Sequence, residues 1–479
     1  MKIFTFALIS MISFSTSLFS QDNKCNCLDN LTKLIAKTEE NYAGFPTKVN
    51  ESSSEDYQNL IKKLQLKAKT EQSPKICFYL LKEYVRFFKD KHFILSYTDE
   101  KDYDTEKIKY SDIYFKNAIS KKQLNEIEGI WINADTSLKI AIQKTAKNTY
   151  KGIVLEAKDA KISRDLVYFT LTNTTNDFIA KEYNSFITTD IPAKQKGNLL
   201  QIWNHSLFGK IYPNKLTPSE QNELSTWRNN NNGLNFKKLS SKTAYLKIPT
   251  FFNNDDKVQQ LVSKSDSTIK TCDNLIVDLT GNGGGNTGWV SFLPYFMTNP
   301  VLQFDTYLRV TPENVKFKLA DLEPFVLNPI PDDYKKYFPE QVLAAYKKAF
   351  QELPTTKNSF YPIPGVTFPF DTLFAKPKKI ALLVDDFCGS STEYFVSISK
   401  QSKKTITYGI NTIGMMDYEG MSNPTALPYD KYILTIPIVK SSWTDTKPVD
   451  KKGFKPDKLL NAIKQIDWIE YVKKDLEKE

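Results

Sequence analysis

The run Cys388-Gly389-Ser390-Ser391-Thr392-Glu393 follows the apolar stretch 380–384 and leads into a helix-like segment, 394–398. A buried strand that enters a helix through a tight turn exposes a small residue at the helix N-terminus, where backbone N–H groups converge on any developing negative charge. A serine there is a candidate nucleophile if a base can reach it. The same residues also read as an ordinary Ser/Thr helix cap. A second signal is Asp278-Leu279-Thr280-Gly281-Asn282-Gly283-Gly284-Gly285, four glycines within five positions directly after a buried strand. Such a loop lets the backbone approach a ligand closely and suits a backbone oxyanion hole, though glycine clusters also serve plain turns. Gly283, Gly285 and Gly288 satisfy G-x-G-x-x-G as well, but the loop lies deep in the chain and an insertion breaks the βαβ continuation that a dinucleotide site needs. A serine nucleophile needs a His or Lys base, and the chain has two histidines, His92 and His205. Periodicity favours His92 only slightly, since it sits where a helical region gives way to a strand. Cys388 is a rival nucleophile that reads better as a small buried hydrophobe.

The elements that must position these residues follow from pattern. Apolar residues recur at helical spacing over 28–90, with a further helical segment around 110–126. Short β-rich segments fill 127–205, among them 138–143, 150–156, 166–171 and 185–189, and predict a small antiparallel module, a partial barrel. From 243 strands alternate with helices, as an α/β sheet requires, interrupted by a Pro- and aromatic-rich insertion at 300–375. The expected organisation is therefore a leader at 1–20, a helical domain at 21–126, the β module at 127–205, a linker at 206–242 and an α/β core at 243–470 with a lid-like insertion. The fold class is α/β in the broad multidomain sense.

At 479 residues and a net charge of +10, the basic surplus is dispersed among acidic residues, with no basic-aromatic block of the kind a nucleic-acid surface shows. Lys2, the largely apolar residues 3–19 and the small Ser20 read as a secretory signal, which places the mature protein in a periplasm or outside the cell. No later segment is long and apolar enough to span a bilayer, so no stable membrane insertion is expected after cleavage. Export permits disulfides, and Cys25 or Cys27 could pair with Cys77, a choice the sequence leaves open. The cysteine and histidine spacing matches no zinc site, and no cofactor is expected.

Taken together, five segments resemble the C-terminal processing (tail-specific) serine peptidases and their tricorn-core relatives. Residues 274–285 resemble that family's apolar strand followed by Asp-Leu-Arg-x-Asn-Gly-Gly-Gly, and 388–393 its Ser-x-x-Glu turn. Tyr245-Leu246-Lys247-Ile248-Pro249-Thr250-Phe251, Gly409-Ile410-Asn411-Thr412-Ile413-Gly414 and Gly453-Phe454-Lys455-Pro456-Asp457 resemble three further signatures in the same order. The resemblance implies a core of crotonase-like ββα units, peptide-bond hydrolysis, polypeptide substrates and Ser390 as nucleophile. The lysine that one branch uses as base is replaced by Met415, whereas Asp90-Lys91-His92 matches the Asp-x-His of the tricorn-like branch. It thus implies His92 as base, Asp450 as the acid that orients it, and an oxyanion hole from the Ser391 N–H and one N–H of Gly283 or Gly284. Thr280 replaces the family's Arg, Asp450 its Glu, and no PDZ-like motif lies between 127 and 205. The alternative is an inactive relative that binds peptides or apolar ligands along the aromatics of the insertion: Phe304, Tyr307, Phe325, Tyr334, Phe338 and Tyr361.

Overall fold

The computed structural model describes residues 24–478, apart from 98, 112, 115–116, 119–123, 176, 230–231, 336–337, 369–373 and 451. The leader at 1–20 and part of the helical segment expected around 110–126 lie outside the described residues. The N-terminal domain is built on helices Cys27–Asn41, Ser54–Ala68 and Pro74–Phe87. Asn26 caps the first through the Asp29 N–H (3.3 Å). Ser73 caps the third through the Ile76 N–H (3.4 Å), with Pro74 at its first position, where a missing N–H costs nothing. Leu31, Leu34, Leu64, Phe78 and Leu81, at helical spacing, fill its interior. A Cys27–Cys77 disulfide joins the first and third helices, and Cys25, Cys272 and Cys388 are free and buried.

Residues 129–212 form a closed eight-stranded antiparallel barrel. Closure comes from the strand Ser206–Tyr212, which pairs back onto Gly129–Asn133 with Ile132 opposite Gly209 and Asn133 opposite Phe208. The barrel therefore runs past the boundary expected at 205, because a partial barrel would leave two unpaired edges that this strand satisfies. The remainder of the expected linker holds the helix Pro218–Asn229 and the edge strand Asn235–Lys238. Residues 185–189 form no strand beyond an isolated bridge from Ile187 to Ser96. There the Phe186 carbonyl accepts from the Tyr97 N–H (2.9 Å), so the segment is spent on docking the helical domain.

The core sheet orders its strands Asn235–Lys238, Thr243–Lys247, Asn274–Asp278, Lys379–Val384, Thr405–Gly409 and Lys458–Leu459. All pairings but the first are parallel, and the central strands are buried on both faces, which is why they read as unbroken apolar runs. Within the insertion, helices Pro312–Leu327 and Glu340–Glu352 enclose a small core of their own around Leu308, Leu322 and Tyr346. Phe325 and Phe338 pack against each other in it, tilted and with ring centroids 4.9 Å apart, so these two aromatics pack the insertion internally. One further pairing matters for function. The strand Ile94–Tyr97 of the helical domain runs antiparallel to Tyr432–Thr435 near the C-terminus, tying the domain to the core through a shared sheet.

Candidate active site

Two adjacent parallel strands carry the two loops predicted to matter. Asn274–Asp278 leads into the glycine loop and Lys379–Val384 into the serine turn, so both emerge side by side at the carboxyl edge of the sheet, the usual place for sites in such sheets. The Leu279 N–H bonds the Leu383 carbonyl (2.9 Å), the Gly389 N–H bonds the Asn282 carbonyl (3.2 Å), and the buried Cys388 thiol donates to the Leu279 carbonyl (3.0 Å). Burial pushes that thiol's pKa well up, which suits a packing role rather than a nucleophile.

Ser390 sits at φ +51°, ψ −123°, a backbone region costly for a residue with a Cβ, immediately before the helix Ser391–Ser399. Sharp turns of this kind present a nucleophile at a helix N-terminus. Its Oγ lies 2.9 Å from His92 Nε2. His92 Nδ1 lies 2.8 Å from the Tyr418 carbonyl oxygen. A carbonyl only accepts, so Nδ1 carries the proton, and the neutral ring presents a bare Nε2 to the serine hydroxyl. The neighbouring Ser391 is different. Its hydroxyl donates to the Asn286 carbonyl (2.6 Å) and accepts from Trp289 Nε1–H (3.1 Å), so both of its roles are filled.

His92 reaches this position across 298 residues. Asp90 bends the chain there, accepting from the His92 N–H (2.8 Å) and from the Tyr42 hydroxyl (2.7 Å). The strand that follows is then held by its pairing with Tyr432–Thr435. His205, the other histidine, lies on a barrel turn with Nε2 3.4 Å from a Glu182 carboxylate oxygen.

Asp450 does not touch His92. Its carboxylate forms an ion pair with Lys48 (3.0 Å) and accepts weakly from the Asp417 N–H (3.4 Å), while its own N–H donates to Asp417 (2.8 Å). The orienting contact expected from Asp450 is instead made by the Tyr418 backbone, one residue beyond the segment Asp450 braces. The carboxylates that act electrostatically on His92 are Asp90, Glu393 and Glu419. Burial raises the pKa of all three.

Glu393 is a structural pivot. It accepts from the Ser390 N–H (3.2 Å), the Thr412 hydroxyl (2.5 Å) and the N–H groups of Gly414 (2.8 Å) and Met415 (2.9 Å). It thereby ties the serine turn to the 412–415 turn, where Met415 is buried in the place of the lysine base of the other branch. Sequence reasoning used Glu393 only as a motif marker; its spacing of three from Ser390, a capping-box interval, was the available signal.

Of the expected oxyanion donors, the Ser391 and Gly283 N–H groups have no acceptor among the described residues, whereas the Gly284 N–H is committed to Asn282 Oδ1 (2.9 Å). Gly284 instead keeps the hole open. At φ +97°, a Cβ on it would lie 2.6 Å from the Gly389 carbonyl oxygen and 2.9 Å from both Ser390 Cβ and Ser391 N. Gly283 lies under the Trp203 indole and Gly285 against the Phe251–Phe252 backbone, so these glycines serve close approach of protein to protein. No cluster of three or more His, Cys, Asp or Glu side chains suited to a metal occurs among the described residues.

Comparison with known proteins agrees with this reading of the fold. The whole architecture is similar to the crystal structure of mature CPAF, with a TM-score of 0.56 at 13% identity, covering 94% of this chain and 96% of that one. It is likewise similar to mature CPAF complexed with lactacystin, with a TM-score of 0.55 at 13% identity, covering 94% and 97%. At such identities the likeness is one of fold. The sequence search against curated proteins found no match. The model of peptidase family S41 matches residues 242–460, the stretch that holds the glycine loop and the serine turn, in support of the resemblance to the C-terminal processing serine peptidases.

Proposed function

We propose that this protein is an exported serine peptidase that hydrolyses polypeptide substrates, with Ser390 as nucleophile and His92 as its general base. The observation that carries the reading is the pair of contacts on one imidazole: Nε2 to Ser390 Oγ at 2.9 Å and Nδ1 to the Tyr418 carbonyl at 2.8 Å. As Ser390 Oγ attacks the scissile carbonyl carbon, Nε2 takes the hydroxyl proton and later gives it to the leaving amine. Water then repeats the cycle on the acyl-enzyme, and Ser390 regains its proton. The Ser391 and Gly283 N–H groups hold the oxyanion, each worth about 3 kcal/mol. The imidazolium formed in between is held by the Tyr418 carbonyl and by the negative charge of Asp90, Glu393 and Glu419. Asp450 acts at one remove, bracing Asp417 and hence the backbone that carries the Tyr418 carbonyl.

Export is supported by the leader-like residues 1–20 and by the Cys27–Cys77 disulfide, a bond at home in oxidising compartments. The deciding experiment is turnover of a denatured protein substrate. Wild type is expected to cleave it, and Ser390→Ala and His92→Ala to lose cleavage with unchanged circular dichroism. Cleavage by Ser390→Ala at the wild-type rate would remove the reading, and a well-folded wild type without turnover would favour a ligand-binding relative.

A further inference from the structure

The barrel contributes no reacting group, yet its last hairpin turn touches both loops of the site. Trp203 lies between the strands Leu199–Ile202 and Ser206–Tyr212, at φ +38°, a backbone region unfavourable for a bulky residue. Its Nε1–H donates to the Phe387 carbonyl (3.1 Å), three residues before Ser390. The same indole covers Gly283: a Cβ there would lie 2.4 Å from Nε1 and 2.6 Å from Cε2. Gln201 locks the turn by donating to the Trp203 carbonyl (2.7 Å) and lies against Gly281. Asp385 joins the same two loops, accepting from the Gly281 N–H (2.9 Å) and the Phe387 N–H (3.1 Å). The barrel's Lys194 pairs with the adjacent Asp386.

The two oxyanion donors sit on different segments, one following each of the two strands. Both must lie about 2.7–3.1 Å from a single point to act together. We propose that Trp203 is a positioning residue of the oxyanion hole, fixing the separation of the Gly283 and Ser391 N–H groups by bonding the serine turn while covering the glycine loop. The inference rests on the reading of Ser390 as nucleophile. It gives the barrel a part in catalysis without contact with the substrate's reacting atoms.

Trp203→Phe keeps a ring over Gly283 and removes only the N–H donor; Trp203→Ala removes both. Misplacement of a site by about 1 Å costs up to about 100-fold. The expected result is a fall in kcat of about 10-fold for Trp203→Phe and about 100-fold for Trp203→Ala, at nearly constant KM. Inhibition by a peptide aldehyde, whose adduct with Ser390 Oγ puts an oxygen in the hole, should weaken in step with kcat/KM. If Trp203→Ala does not fold, Trp203→Phe decides alone. A Trp203→Phe variant with wild-type kcat and aldehyde inhibition, whether or not its melting temperature drops, overturns the proposal and leaves Ser390 untouched. Wild-type turnover by Ser390→Ala would instead remove the reading of the site and the Trp203 proposal with it.

Discussion

Replacing Gly284 by alanine tests the oxyanion hole with a single methyl group. At φ +97° the added Cβ would stand 2.9 Å from Ser391 N and 2.6 Å from the Gly389 carbonyl oxygen, closer than such atoms approach without displacement. The methyl therefore crowds the serine turn and the Ser391 nitrogen, displacing the donor that the substrate oxygen must meet. Loss of one oxyanion donor costs about 100- to 1,000-fold in kcat, or about 3–4 kcal/mol. Backbone strain at positive φ adds about 1–2 kcal/mol of lost stability. The assay is kcat and KM on a fluorogenic peptide, beside thermal melts. A matched control is Gly197→Ala, at φ +59° on an exposed barrel turn, where the added Cβ would crowd the Glu220 carboxylate, which Asn198 and Thr217 hold in place and which takes no part in the site. It should lose comparable stability and keep its activity. A folded Gly284→Ala enzyme within about threefold of wild-type kcat, against the loss expected for an oxyanion donor, would refute the assignment of this space.

Three further outcomes follow from the same contacts. Asp450→Asn should cost less than about 10-fold in kcat while His92→Ala costs at least about 1,000-fold, because the Tyr418 carbonyl rather than Asp450 holds Nδ1; steady-state kinetics of the pair decides it. Removing the Cys27–Cys77 disulfide as Cys27→Ser/Cys77→Ser reopens a 50-residue separation, and should destabilise by about 4 kcal/mol on chain entropy, measured by urea unfolding. Burial pushes the Asp177 carboxyl up to about 6, with Lys194 opposing only part of the shift. The folded state then binds a proton that the unfolded chain, titrating near its usual pKa of about 4, has released, so stability from this group falls as pH rises from about 4 to about 6. Asp177→Asn should remove that decline in urea titrations across the window, and an unchanged slope would contradict it.

Some of this was legible in the chain and some was not, for physical reasons. The strands at 274–278 and 379–384 announce themselves because both faces are buried, which demands unbroken apolar runs. Ser390, His92 and the glycine loop carry unusual residue types at telling positions, and Met415 declares the absence of a lysine base. The closure of the barrel was hidden because it is a pairing between strands some 80 residues apart, and neither strand's pattern names its partner. The true partner of His92 Nδ1 was hidden more deeply. Every residue has a backbone carbonyl, so nothing in Tyr418 marks its own as special. Asp450 looked right by motif, but Lys48, 402 residues earlier in sequence, claims its carboxylate. The strand pairing that delivers His92 to Ser390, Ile94–Tyr97 against Tyr432–Thr435, is likewise non-local.

The central claim is that Ser390, and not its neighbour Ser391, is activated by a histidine from another domain. Fluorophosphonate labelling followed by peptide mass mapping tests it most directly. The adduct is expected on Ser390 in the wild type and to be absent from His92→Ala, while Ser391→Ala still labels. An adduct on Ser391 or any other serine, or undiminished labelling of His92→Ala, would contradict the account.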